Sequence, residues 1–138
     1  MITRMSHVTI FVTNQDEALA FYRDKLGFTV KMDAAMEQGF RWLTLNPPEQ
    51  PDLEVILMAV KPGMLYDEET AATLRQLVQK GVLGAGVMEV DDCKKTYEDL
   101  KAKGVEFTSP PTERFYGIEA IMKDNSGNWF SMTERKNA

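Results

Sequence analysis

"HVTIFVTNQDEALAFYRDKLGF" (residues 7–28) is the stretch from which the fold can be read. Its first part is rich in β-branched and aromatic residues and bounded by polar ones, which predicts a strand over residues 5–13. Asn14 follows, with Glu17 three positions on, a variant of the capping box that opens a helix. Ala18, Phe21, Tyr22 and Leu26 recur at helical spacing, so this helix buries one face. Gly27 stands where such a helix stops. "FTVKMDA" (28–34), "RWLTLN" (41–46) and "LEVILMAV" (53–60) predict three more strands, the last two parted by the turn-rich "NPPEQPD".

The same order returns after residue 81. "VLGAGVMEV" (82–90) predicts a strand, Asp91 or Asp92 an N-cap, and "CKKTYEDLKAKG" a helix ended by Gly104. "VEFT" (105–108), "GIEAIMKD" (117–124) and "WFSMTE" (129–134) complete a second β-α-β-β-β unit. Val12 maps onto Val90 and Asn14 onto Asp92 at an offset of 78, whereas Gly27 maps onto Gly104 at 77. Two copies are too few for a repeat array, so the pattern is a duplicated module within one domain spanning 1–138. Module one covers about 4–60 and module two about 82–135. A connector helix over 67–80, with Leu74, Leu77 and Val78 on one face, reads as cover packed on the domain.

Composition narrows the function classes. Sixteen Lys and Arg against 21 Asp and Glu leave a net charge of −5, the wrong sign for a nucleic-acid binder. The densest basic cluster, Lys94, Lys95, Lys101 and Lys103, is broken by Glu98 and Asp99 and reads as a solvated helix face. No apolar run approaches the ~20 residues of a membrane span. The single cysteine, Cys93, cannot form an internal disulfide, and no basic-then-apolar leader opens the chain, so the expected location is the cytoplasm.

"FYRDKLGF" after the first strand, "MEVDD" before the second helix and "DNSGNWFSMTE" near the C-terminus resemble the vicinal oxygen chelate superfamily. That group includes glyoxalase I, extradiol dioxygenases, and the fosfomycin and bleomycin resistance proteins. The resemblance runs from residue 5 to residue 134; Asn125 and Ser126 depart from the usual "DPxGN" turn. It implies an α+β fold of two tandem βαβββ modules forming a cup-shaped mixed sheet around a pocket, within one chain or across a homodimer. It also implies a divalent metal, where present, held by one residue from each first strand and one from each fourth strand.

The residues at those places are His7, Glu54, Ala85 and Ser131, by the repeat offsets and by the family motif alike. Alanine offers no donor atom and a neutral serine hydroxyl is a poor ligand, whereas catalytic zinc normally takes three protein ligands. The arrangement of two His and one carboxylate that binds non-haem iron cannot come from a chain with one histidine, which argues against an extradiol dioxygenase. The expectation is therefore no cofactor, with zinc, nickel, manganese or iron on His7 and Glu54 as the alternative. His7 has three readings: a polar pocket group bonded to a ligand or to Glu54, a metal ligand, or an inert strand histidine.

The general base that the resemblance implies in module two would be missing at Ser131. Glu89, read by alternation as sharing a face with Ala85 and Val87, and Glu119 are stand-ins, unless both simply face solvent. Alternation puts Phe11 with His7, Ile56 and Met58 with Glu54, and Trp129 with Ser131. Trp42, Phe115 and Tyr116 lie in adjoining strands or the loop before the seventh strand, with their face open. The rival reading of these apolar residues, and of the nine methionines, is that they fill the core. The expected function is binding of a small organic molecule, as in bleomycin resistance, with a degenerate metal site; the alternative is a metal-dependent glyoxalase-like lyase or isomerase.

Overall fold

Two four-stranded sheets of identical strand order carry the two halves of the sequence in a computed structural model that describes residues 1–136. In the first, β1 (His7–Val12), β2 (Thr29–Ala35), β3 (Arg41–Asn46) and β4 (Glu54–Ala59) lie in the order β1-β4-β3-β2. In the second, β5 (Gly84–Glu89), β6 (Glu106–Arg114), β7 (Gly117–Lys123) and β8 (Trp129–Arg135) lie in the order β5-β8-β7-β6. The pairs β1–β4 and β5–β8 are parallel and the others antiparallel, so both sheets are mixed. Three helices, α1 (Gln15–Ala20), α2 (Glu68–Lys80) and α3 (Cys93–Ala102), complete the α+β architecture expected from the sequence.

The helix caps follow the sequence signals. Asn14 Oδ1 accepts the Glu17 amide, and Asp92 Oδ1 accepts that of Lys95. Gly81 closes α2 in the left-handed region, at φ 81°. Three elements differ from expectation. Helix α1 stops at Ala20 and continues as a π-helical turn over Phe21–Lys25 that buries Phe21 and Tyr22. Strand β6 runs past "VEFT" to Arg114 despite Pro110 and Pro111; it is an edge strand, and its ladder skips from Ser109 to Thr112. On α2, Ala71 and Val78 are buried while Leu77 is exposed, so the packed face is rotated from the one read off the leucines.

One core joins both halves. Ile10 and Val12 of β1, Leu43 and Leu45 of β3, and Leu57 of β4 meet Ala120, Met122, Phe130 and Met132 from the second sheet. Tyr22 is the hinge between them, its ring set against Phe28 and Phe130. Its hydroxyl donates to Asp124 Oδ2 at 2.7 Å, and burial above all, then Asp124, pushes the phenol well above its usual range. Asp124 Oδ1 also accepts the amides of Ser126, Gly127 and Asn128. Asn128 Nδ2 donates to Asp124 and reaches back to the Phe11 carbonyl at 2.7 Å. The "DNSGNW" motif is thus a latch between modules.

Candidate functional site

Because Ile10, Val12, Val55 and Leu57 point into the core, the residues alternating with them stand on the opposite, open face of the first sheet. His7, Phe11, Glu54, Ile56 and Met58 lie there, as alternation in the sequence predicts. Trp42 joins them, its ring centroid 6.0 Å from that of His7. Phe11 meets Tyr66 of the loop after β4 edge to face at 6.5 Å.

His7 and Glu54 are partners across the parallel ladder. His7 Nε2 lies 2.9 Å from Glu54 Oε2, and His7 Nδ1 lies 2.7 Å from Ser6 Oγ. A hydroxyl proton from Ser6 on Nδ1 leaves Nε2 to carry the proton toward the carboxylate. Thr44 Oγ1 donates to the other oxygen, Oε1, at 2.8 Å. Sequence reasoning missed Ser6 and Thr44, although Thr44 alternates with Trp42 and could have been placed on this face.

The second sheet presents a different set. Ser131 Oγ donates to Glu119 Oε2 at 2.5 Å and meets Thr133 Oγ1 at 2.7 Å. Tyr116 donates to Glu119 Oε1 at 2.5 Å, with Arg114 Nε 3.8 Å away. The bonds from Ser131 and then Tyr116 hold the Glu119 carboxyl below its ordinary range. Glu89 is exposed and pairs with Arg135 at 3.1 Å, apart from this cluster. Phe115 and Tyr116 form the two-residue tip of the β6–β7 hairpin, and Phe115 is 89% exposed.

Ala85 does not stand beside Ser131. The ladder slips between Gly84 and Gly86, and Val87 becomes the neighbour of Ser131. Gly86 takes φ 147°, which alanine-like residues rarely adopt, and this bulge turns Ala85 against the core. The face shared by Ala85, Val87 and Glu89 in a regular strand is therefore broken. Trp129 lies over Gly84, where an added Cβ would come within 2.6 Å of its ring.

Within one chain, these positions do not assemble the three protein ligands of a catalytic metal site. His7 and Glu54 are two donors, each already bonded to the other; Val87 and Ala85 provide none, and Ser131 is bonded to Glu119. Among the described residues no group of three or more His, Cys, Asp or Glu could hold a metal ion. No helix among them is long and apolar enough to cross a membrane.

Comparison with known proteins agrees with this architecture. The Bacillus subtilis (strain 168) protein YurT is 35% identical over 92% of this chain and 95% of its own. The crystal structure of UcmS2 is 48% identical, covers 97% of this chain and 99% of that one, and superposes with a TM-score of 0.92. The structure of TnmS3, an antibiotic binding protein from Streptomyces sp. CB03234, shares the fold at TM-score 0.76 and 22% identity, over 98% of both chains. Residues 4–132 match the Glyoxalase/Bleomycin resistance protein/Dioxygenase superfamily, and with both modules, their ladders and the C-terminal latch in place, the chain belongs to that superfamily.

Proposed function

We propose that the protein binds a small organic molecule in a cup, without a resident metal, one wall bearing His7 and Glu54 and the other Glu119 and Ser131. The observation that carries this reading is the hydrogen-bond chain through His7: Ser6 on one nitrogen, Glu54 on the other, Thr44 on the far carboxylate oxygen. Such a chain fixes a polar spot among Phe11, Trp42 and Met58, the mixture typical of small-molecule sites. The likeness to an antibiotic binding protein supports the same class of ligand.

The walls of the cup come from two copies of the chain in a homodimer. Within one chain the two sheets share no ladder, and β1 and β5 are both unpaired sheet edges. Val87 is 68% exposed and the His7 side chain 37%, as befits walls awaiting a partner. Phe115, Tyr116 and Trp129 line the second wall with Ser131. A pairing of module one with the partner's module two completes each cup twice over by symmetry.

The two tryptophans of the chain, Trp42 and Trp129, then lie on opposite walls. Screening candidate antibiotics and metabolites by tryptophan fluorescence reads occupancy directly. Saturable quenching by a compound, retained after chelation and reduced in both Trp42→Phe and Trp129→Phe, is the expected result. One stoichiometric divalent ion in untagged protein, lost with His7→Ala and required for binding or turnover, overturns it in favour of a glyoxalase-like lyase or isomerase. A monomer in sedimentation equilibrium, with ligand bound, overturns the two-copy cup.

A further inference from the structure

A second cleft, of about 330 Å³, opens beyond the C-terminal ends of the parallel strands β1 and β4. Arg41 lines it and alternates along β3 with Trp42 of the open face, so the cleft lies on the helix-covered side of the sheet, away from His7. Its volume falls within the range of small-ligand sites.

Its charges are unbalanced. The acid that lines it, Asp16, is held by Arg41 Nη1 at 2.7 Å, and the same guanidinium grips Asp33 with its remaining nitrogens. Lys61 and Arg75, by contrast, pair with no carboxylate among the described residues. Lys61 Nζ donates to the Gly39 carbonyl at 3.2 Å. Arg75 spends one nitrogen, Nη2, on the carbonyls of Thr13 and Val60, the residues that directly follow the two parallel strands. That anchorage fixes the guanidinium while Nε and Nη1 keep no partner among the described residues.

Two cations without counterions, one of them pre-positioned, stand in a concave site of a chain whose net charge is −5. A local positive potential against a negative background selects anions, and a fixed guanidinium favours planar or tetrahedral oxyanions over halide. We propose that this cleft binds a small doubly charged oxyanion, a phosphate monoester or a dicarboxylate, through Lys61 and Arg75. The site is separate from the cup, so its occupancy does not depend on the ligand proposed there.

The test is an amide-resonance titration of the full chain at low ionic strength with inorganic phosphate and, separately, succinate, with chloride as reference. Saturable shifts confined to residues 13–16, 59–61 and 75 are expected, weakened about tenfold by Lys61→Ala. Lys101→Ala, at a lysine elsewhere on the surface, leaves them unchanged. Saturation by phosphate alone assigns a monoester, and by succinate alone a dicarboxylate. Equal shifts with chloride, no saturation with either anion, or undiminished binding in Lys61→Ala overturns the proposal. Lys61 holds one backbone carbonyl, so this variant keeps its fold where Arg75→Gln could unfasten α2.

Discussion

The two modules place the same pair of functional groups on neighbouring central strands, but in opposite order. In module one the hydroxyl, Thr44, is on β3 and the carboxylate, Glu54, on β4. In module two the carboxylate, Glu119, is on β7 and the hydroxyl, Ser131, on β8. The positions correspond: Thr44 lies opposite Ile56, two residues from Glu54, as Glu119 lies opposite Thr133, two residues from Ser131. The polar bond survives the exchange and the coordination chemistry does not. Glu54 sits beside the first strand and its histidine, whereas Glu119 is one strand further off, about 4.8 Å, with Val87 in the first-strand place. One half can orient an imidazole; the other can only offer an acceptor already spoken for.

Restoring the order in module two gives the largest expected change. Val87→His, Ser131→Glu and Glu119→Thr together would copy the His–carboxylate–threonine set of module one onto the second wall. If that wall meets His7 and Glu54 of a partner copy, four ligands converge. Calorimetry should then show Zn²⁺ binding at pH 7 strengthened by roughly 4 kcal/mol or more, since complete structural sites reach about 10. Unchanged zinc affinity in a folded triple variant would mean that the two walls do not meet.

Next comes the latch that both halves share. Asp124→Ala strands the Tyr22 hydroxyl, the Asn128 amide and three backbone N–H groups, and urea unfolding should show a loss of about 3–5 kcal/mol. The same latch predicts an alkaline limit. The folded Tyr22 phenol titrates above its unfolded value, so its contribution is complete below the ordinary tyrosine range and fades as pH rises through the folded value.

The transposed pairs themselves are smaller levers. Ser131→Ala should cost about 1.5 kcal/mol, and Thr44→Val about 1 kcal/mol. The Ser131–Glu119 pair carries an acid limb. The folded Glu119 carboxyl titrates below its unfolded value, so its stabilisation is complete above the ordinary carboxylate range and is lost as pH falls through the lowered one. Ser131→Ala removes the main cause of that lowering and should shift the acid unfolding midpoint upward. Smallest is Arg135→Ala, which frees the exposed Glu89 and should change stability by under about 0.5 kcal/mol.

Much of this was legible in the sequence because it is local. Asn14, Asp92 and Gly81 act within one helical turn of where they sit, and alternation in β1 and β4 sufficed to set His7, Phe11, Glu54 and Met58 on one face. What escaped depends on distant partners or on irregular backbone. The bulge at Gly84–Gly86 breaks the alternation that had joined Ala85 to Glu89, and no residue spacing announces which glycine takes it. Glu119 and Ser131 are separated along the chain by a turn and meet only through the β7–β8 register. Pro110 and Pro111 look like a strand end, yet an edge strand tolerates them because its outer side needs no amide donor.

The reach of Asn128 to the Phe11 carbonyl has a consequence for how the duplication can evolve. Each half now closes a hydrogen-bond ring that begins in the other, so neither is a self-sufficient part. A lone module would expose one side of the joint core along with the orphaned donors, and the chain should therefore melt as a single cooperative unit. Side chains on the open faces of the sheets can change without touching this joint, whereas the two halves cannot be parted without breaking it.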